Sequence, residues 1–320
     1  MSIDLDRIRN PVFDREPGCS ARDPALVFHD GRFLCFHSAF ERRKGRNRFF
    51  LDVCESTDLA AWTRFRRLTT SMENFSSPGN VLRTADRWLL CMQSYPVPEG
   101  GLHGGEESRL WLMESRDLET WSEPRILAAE GCRAAWAKSR RQIDPCLVEH
   151  DGRFWCFYKT AGALGLLVSD DLETWKEASP GRPVLSKADT PDGSTVENPC
   201  VLRVEDRFMM FFAPCREGRG IGVAASEDLL AWRGVHYLDF PPLVWAPGGP
   251  TAAMVLDARA ECGNWLMAFH GERPGPFHAA MGVAWSRDLE HWTVPCVPRL
   301  PPEVPPQPPA ASLVTPRPIC

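Results

Sequence analysis

The sequence lacks several features that would assign it to common classes of protein. No apolar run approaches the roughly 18 residues that a membrane-spanning helix needs, so no membrane association is expected. Lys and Arg total 37 against 42 Asp and Glu, a net charge of −5, which is not the basic balance of a nucleic-acid-binding protein. The first ten residues, MSIDLDRIRN, contain acids and no apolar segment. They do not have the pattern of a secretory signal peptide and predict a cytoplasmic protein.

The spacing of the cysteines also lacks a pattern. None of the 12 cysteines forms a C-x-x-C pair, so a structural zinc site is not indicated. In a reducing compartment these residues are expected to be free thiols that pack as small apolar side chains. The sequence predicts no metal and no organic cofactor.

The chain does contain an internal repeat, which occurs five times. Each copy has a Pro-led apolar segment, a turn, a second apolar segment such as GRFLCFHS or GRFWCFYK, and then Ser-x-Asp-Leu-x-x-Trp. The motif aspartates, at positions 58, 117, 171, 228 and 288, are spaced by 59, 54, 57 and 60 residues. Repeats of this length that contain several short strands are typical of propeller blades.

Each copy predicts four strands. The first is led by Pro, and turn residues such as Asp30-Gly31 and Asp151-Gly152 connect it to the second. The third ends at the repeated motif, whose Trp begins a short outer strand. Helical periodicity is scarce. The predicted fold is all-β: a five-bladed β-propeller, with four antiparallel strands per blade, over residues 1–295.

Residues that occur in every copy are expected to have structural roles. The repeated Trp is expected to fill the wedge between blades, and the repeated Asp to cap a turn. Cys35, Cys91 and Cys156 occupy nearly equivalent second-strand positions and are expected in the core. Ten of the 29 prolines lie between Pro295 and Pro318, so residues 296–320 are expected to form an extended Pro-rich tail outside the propeller.

The copies differ at the head of the first strand. The residues before the Pro are Asp23, Ser77, Asp144, Asn198 and Gly249, and Glu197 stands one position before Asn198. First strands line the central channel of a propeller, so Asp23, Asp144 and Glu197 are expected to converge at one funnel. Carboxyl groups that lie close together repel one another, and proteins keep them mainly where chemistry or a cation uses them.

The second strand returns to the same face, and its end differs in every copy. The end pairs are His37-Ser38, Gln93-Ser94, Tyr158-Lys159, Ala213-Pro214 and His270-Gly271. This polar and variable set is expected to line a pocket. His37, Gln93, Lys159 and His270 are predicted to contact a substrate, as is Arg273, just beyond His270.

The segments RDP (22–24), IDP (143–145) and ENP (197–199), in blades one, three and four, resemble glycoside hydrolase family 43 over about residues 20–295. The resemblance implies a carbohydrate substrate, such as an arabinoside, xyloside or galactoside, and inverting hydrolysis. It implies that Asp23 is the general base, that Asp144 tunes and orients the acid, and that Glu197 is the general acid. Inverting enzymes place the two reacting carboxyl groups about 6.5–9.5 Å apart, with a water between them.

The resemblance also bears on the rest of the pocket. Aromatic residues near the funnel, Phe40, Tyr95 and above all Trp245, are expected to stack on sugar rings. The family often carries a His in blade five near a central cation. Thr251 stands there in this chain, so a bound calcium ion is not expected.

Two other activities fit the same residues. One is a non-catalytic carbohydrate-binding propeller. The other is a phosphorylase, for which Arg22, Lys159 and Arg273 would supply positive charge. An invertase-type enzyme fits less well, because its Asn-Asp-Pro-Asn-Gly segment is absent. A sialidase, with six blades and a Tyr nucleophile, also fits less well. Nothing in the sequence predicts an oligomeric state.

Overall fold

The computed structural model describes residues 3–70 and 73–295, and its regular structure is almost entirely β. The helical elements in this part of the chain are a 3-10 turn, Leu5–Arg7, and one helical turn, α1 (Arg259–Cys262). Neither is long and apolar enough to cross a membrane. The predicted Pro-rich tail, 296–320, lies outside the described residues.

The strands form five antiparallel sheets that follow the five sequence repeats in chain order. Blade one contains β1 (Cys19–His29), β2 (Arg32–Arg43), β3 (Arg46–Ser56) and β4 (Arg66–Arg67). Blade two contains β5 (Val81–Arg83), β6 (Trp88–Gln93), β7 (Leu110–Ser115) and β8 (Arg125–Ile126). Blade three contains β9 (Ile143–His150), β10 (Arg153–Thr160), β11 (Ala163–Ser169) and β12 (Lys176–Glu177). Blade four contains β13 (Thr195–Val204), β14 (Arg207–Cys215), β15 (Gly222–Ser226) and β16 (Arg233–Tyr237), and blade five contains β17 (Gly249–Ala258), β18 (Asn264–Glu272) and β19 (Ala279–Ser286).

The innermost strands form a closed ring. β1, β5, β9, β13 and β17 contact one another in this order, and β17 contacts β1. In blade five, isolated bridges take the place of a fourth strand: Thr293 pairs with Trp285, and Phe13 pairs with Met281. Residues near the N-terminus therefore complete the last blade, and the predicted five-bladed all-β propeller is confirmed.

The Ser-x-Asp-Leu-x-x-Trp motif makes the same turn in all five blades. In blade one, Asp58 Oδ1 accepts the backbone N–H groups of residues 60 and 61, and the Trp62 indole donates to the Leu59 carbonyl. The Leu has a left-handed backbone, with φ of 62° at Leu59, and its burial offsets the strain of that conformation. Trp121 meets Phe36 of the preceding blade edge to face at 5.5 Å. These residues serve the fold, as their repetition predicts.

The first strands of blades one, three, four and five each contain a β-bulge of two residues, and the corresponding residues of blade two, Ser77-Pro78, precede β5. In blade one, Arg22 pairs with Ser38 and Ala25 pairs with Phe36, so Asp23-Pro24 is extruded from the ladder. The first residue of each bulge has a left-handed backbone with φ of 48–52°, namely Asp23, Ser77, Asp144, Asn198 and Ala252. Ala252, and not Gly249, is therefore the blade-five equivalent of Asp23. The sequence alignment on Pro misplaced it because this bulge contains no Pro.

Around the axis, backbone N–H groups of one first strand donate to side chains of the preceding blade. Sulfur is the acceptor in three of these bonds, which explains why cysteine and methionine stand beside the axis. The bonds are Leu26 to Met254 Sδ (3.3 Å), Val201 to Cys146 Sγ (3.2 Å), Val255 to Cys200 Sγ (3.2 Å) and Leu147 to Asn80 Oδ1 (2.8 Å). Cys35, Cys91 and Cys156 lie in the core, and the ten cysteines of the described residues are free thiols.

Candidate active site

The bulges open into a polar cavity at one end of the axis. Its volume is about 250 Å³, and Asp23, Asp144 and Glu197 all line it, so the three predicted acids lie in one pocket. The floor of this cavity is formed by two sets of residues: those that precede the bulges and the first residues of the bulges. The residues that precede the bulges include Arg22, Ser76, Ile143 and Glu197. The first bulge residues, including Asp23 and Asp144, also surround a smaller axial cavity of about 20 Å³.

Asp23 is held by neighbours on both sides. Its Oδ2 accepts a hydrogen bond from Ser38 Oγ at 2.8 Å, and its backbone N–H donates to His270 Nδ1 at 3.0 Å. Ser38 Oγ also accepts the backbone N–H of Ser77 at 2.7 Å. Ser38 therefore fixes the carboxylate of Asp23 and the head of the next blade together.

Asp144 is the most buried of the three acids, with 8% of its surface exposed. Its backbone N–H donates to Gln93 Oε1 at 2.7 Å, and its Oδ1 accepts from Ser77 Oγ at 3.2 Å. Burial raises the pKa of Asp144 to about 6. The positive charge of Lys159 opposes this rise, and the negative charges of Glu197 and Asp23 add to it. Asp144 therefore retains a proton in mildly acidic solution.

Glu197 has the opposite electrostatic environment. Its Oε2 accepts a short charged hydrogen bond from Lys159 Nζ, and its Oε1 lies 2.7 Å from Nη1 of Arg219. Burial favours the protonated form, but the charges of Lys159 and Arg219 outweigh it and lower the pKa of Glu197 to about 2. In this state Glu197 is an ionised carboxylate.

Side chains alternate along a strand, so only one residue of each second-strand end pair can point toward the pocket. The residues paired with the pre-bulge positions are Ser38, Gln93, Lys159, Ala213 and His270. His37, which is predicted to contact substrate, lies outside the lining of the cavity, on the opposite face of β2. It is fully buried against Phe13 and Phe65.

The other predicted contacts divide into two groups. Lys159 and Gln93 line the pocket, and Gln93 also supports Asp144. His270 is 1% exposed and supports the backbone of Asp23 from behind. Trp245 lies outside the lining, because it packs on Phe269 and against Gly271, and Arg273 pairs with Asp14. His270, Trp245 and Arg273 are therefore not among the residues that line the cavity.

Several pocket residues were not predicted. Phe49 and Phe277 form an aromatic wall with Tyr95, which was an expected sugar platform. Phe40 packs behind this wall. Arg141 and Arg219 add positive charge. Ser38, one of the predicted strand-end residues, is fully buried behind Asp23 and stands seven residues after Gly31, as Lys159 stands seven after Gly152.

Within residues 3–70 and 73–295, no three His, Cys, Asp or Glu side chains are grouped to hold an ion. Thr251 is 2% exposed and its Oγ1 has no hydrogen-bond partner.

Ser38→Ala is expected to destabilise the protein by about 1–3 kcal/mol, because it leaves the buried N–H of Ser77 without its acceptor. It also removes a donor from Asp23. Urea denaturation measures the loss, with Thr57→Ala on the exposed motif turn as the control. Equal stability of Ser38→Ala and wild type would contradict the linking role of this hydroxyl.

Comparison with known proteins shows that this chain resembles several of them in structure. No family model matches the sequence, and no curated protein does. An alpha-L-arabinofuranosidase from Podospora anserina superposes with a TM-score of 0.67 at 13% identity, over 90% of this chain and 96% of that one. The family 43 endo-arabinanase from Bacillus licheniformis gives 0.62 at 16% identity, over 88% and 99%. The catalytic domain of a family 62 alpha-L-arabinofuranosidase from Coprinopsis cinerea gives 0.66 at 14% identity, over 87% and 95%.

Identities of this size establish the fold and not the reaction. The match extends over most of each chain, so it concerns the whole propeller and not a single blade. The resemblance to family 43 that the RDP, IDP and ENP segments predict is confirmed at the level of the fold, and the chain has the β-propeller architecture of these glycoside hydrolases.

Proposed function

We propose that the protein is a glycoside hydrolase that cleaves small saccharides in the axial pocket by a single displacement with inversion. One observation carries this proposal: three carboxyl groups from three different blades line one cavity of about 250 Å³. The aromatic wall opposite supplies apolar surface for a sugar ring. The family 43 and family 62 names of the structural neighbours support the same reaction class.

The reaction is assigned to Asp23 and Glu197. Asp23, as a carboxylate, accepts a proton from a water molecule while the oxygen of that water bonds to the anomeric carbon. The bond from that carbon to the leaving oxygen breaks, and Glu197 donates a proton to this oxygen. The products are a free sugar of inverted configuration and an alcohol, and exchange with solvent restores both carboxyl groups.

Asp144 is assigned to the control of this proton transfer. Its carboxyl group is buried beside the other two acids, and its charge favours the protonated form of Glu197. Glu197 can donate a proton only after it has lost its ion pairs with Lys159 and Arg219. The proposal therefore requires that a bound substrate changes these two contacts.

A non-catalytic carbohydrate-binding propeller is the second candidate. The ion pairs on Glu197 favour it, because a carboxylate held by two cations is a poor proton donor. The two functions differ in a direct measurement, since a binding protein shows no turnover of any glycoside.

The contribution of Asp144 to the stability of the protein is expected to fall as the pH rises from about 4 to 6. The pKa of Asp144 is about 6 in the folded chain against an ordinary value of 3.8. In this window the folded chain keeps a proton that the unfolded chain has lost, and stability decreases with pH wherever the folded state binds more protons. The shift corresponds to about 3 kcal/mol at most.

The variant Asp144→Asn isolates this effect. Asn tolerates the left-handed backbone at this position, as Asn198 does in blade four. The free energy of unfolding of the variant minus that of wild type should increase as the pH rises from 4 to 6. Urea denaturation at several pH values measures it, and a difference that stays constant with pH would contradict the buried proton.

A further inference from the structure

Glu197 is bound by more positive charge than one carboxylate requires. Lys159 and Arg219 both pair with it, and the side chains of Lys159 and Glu197 are only 16% and 17% exposed. Two cations therefore donate to one carboxylate, and the carboxyl group of Asp144, which interacts with the charge of Lys159, accepts no hydrogen bond from either of them. Glu272 contacts Arg219 only at 3.8 Å and is itself paired with Arg22 at 2.9 Å.

Two further guanidinium groups in the pocket have unused donors. Within residues 3–70 and 73–295, Nε of Arg141 and Nη1 of Arg22 are buried and have no hydrogen-bond acceptor. Arg141 also has no ion-pair partner in this part of the chain, and its charge lies over the Tyr95 ring at 5.2 Å. Buried donors without acceptors are costly, and guanidinium groups are suited to planar or tetrahedral oxyanions.

From these contacts we infer that the substrate is a saccharide bearing an oxyanion, and that this group displaces Glu197 from Lys159 and Arg219. The oxyanion is a uronate carboxylate or a sulfate or phosphate ester. The inference rests on the proposed function, because it supplies the step that frees the general acid. A neutral sugar has no group that competes with a carboxylate for two cations.

Displacement of Glu197 from Lys159 and Arg219 changes the protonation state of its carboxyl group. The incoming oxyanion takes the hydrogen bonds of Lys159 and Arg219, and Glu197 is left beside Asp144 and Asp23 without its two ion pairs. A carboxyl group near other carboxylates takes up a proton, and here the proton comes from solvent. Binding of the anion and uptake of the proton leave the total charge of the site nearly unchanged and produce the acid that the reaction needs.

Calorimetric titration tests this without turnover. The probes are galacturonate, glucuronate, galactose 6-sulfate and galactose 6-phosphate, with galactose and glucose as neutral counterparts. At least one anionic sugar is expected to bind at least tenfold more tightly than its neutral counterpart. Titration at pH 7, where Asp144 with its pKa of about 6 is ionised, in two buffers of different ionisation enthalpy should show net proton uptake on binding.

Variants assign the effect to this cluster. Glu197→Gln removes the carboxylate that competes with the ligand, so it should tighten binding of the anionic sugar at least tenfold and abolish most of the proton uptake. Arg219→Gln should weaken binding at least tenfold. Arg153→Gln, which removes an exposed ion pair with Asp170 on blade three, is the matched control and should change neither quantity. Equal affinity for neutral and anionic sugars, or no tightening in Glu197→Gln for any anion including inorganic sulfate, overturns the inference.

Binding of inorganic phosphate tests whether the cluster takes a free oxyanion or one that is part of the saccharide. Tight binding of phosphate, with anionic sugars no better than neutral ones, overturns the inference and assigns the cluster to phosphorolysis. Rapid hydrolysis of neutral glycosides that depends on Asp23 and Glu197 also overturns it, but leaves the proposed function intact. Tight binding of an anionic sugar that Glu197→Gln enhances, with no turnover of its glycosides, supports recognition of the oxyanion by this cluster and overturns the proposed function.

Discussion

Asp23→Asn and Glu197→Gln are each expected to lower kcat by about 10²–10⁴-fold, the contribution that one positioned acid or base makes to a rate. An amide at position 23 could not accept the proton of the attacking water, and an amide at position 197 could not donate one to the leaving oxygen. Both changes preserve the size of the side chain. At position 23 the backbone φ is 48°, and Asn198 has the same conformation at 49°, so the fold should tolerate the change. Initial rates on a panel of neutral and anionic 4-nitrophenyl glycosides measure the effect.

Asp170→Asn provides the control for these two variants, since this exposed carboxylate pairs with Arg153 on the surface of blade three. Its rates should equal those of the wild type. Rates near the wild-type value in Asp23→Asn or Glu197→Gln would refute the assignment of base and acid. NMR of the first product formed separates the proposed inversion from retention, and a wild-type protein without turnover would indicate the binding function instead.

The fold followed from the sequence because its five units repeat the same structural residues. The Ser-x-Asp-Leu-x-x-Trp turn has the same hydrogen bonds in each blade, and a pattern repeated five times outweighs the ambiguity of any one copy. Blade five was harder to align, because Ala252 and Ala253 form its bulge without a Pro. In blade five, Gly249 precedes Pro250, so alignment on Pro places Gly249 where Ala252 belongs.

The site followed from the sequence only in part, for two physical reasons. Alternation in a strand is strict, so an error of one residue exchanges the side chain that contacts an acid for one on the opposite face, as with Ser38, which donates to Asp23, and His37. The second reason is that the cations Arg141 and Arg219 lie in connecting segments, where the repeat gives no register. The pairing of Lys159 from blade three with Glu197 of blade four sets the charge state of the acid. That pairing depends on the distance between blades, which no local pattern encodes.

The axial packing between blades two and three is expected to make Gly79→Ala severely destabilising. A Cβ on Gly79 would lie 1.9 Å from the carbonyl oxygen of Pro145 and 2.7 Å from its carbonyl carbon. Both are backbone atoms of the bulge that carries Asp144, so neither can rotate away as a flexible side chain would. Overpacking of a core commonly costs about 1–3 kcal/mol and at times more, and a clash this close with a backbone atom belongs at about 3 kcal/mol or above.

Relief of this clash requires the two blades to separate at the axis, and this should impair the site as well as the fold. The separation would stretch the bonds of Asn80 with the backbone of Leu147, both 2.8 Å, and the 3.2 Å bond from Ser77 to Asp144. Thermal and urea denaturation of Gly79→Ala measure the first effect, and kcat of the surviving folded protein measures the second. Gly181→Ala is the matched control, because no atom lies within 4 Å of its added Cβ, and its stability should stay within about 0.5 kcal/mol of wild type. If Gly79→Ala were as stable as Gly181→Ala, blades two and three could not be in contact at Gly79 and Pro145, and the position of Asp144 in the pocket would lose its structural basis.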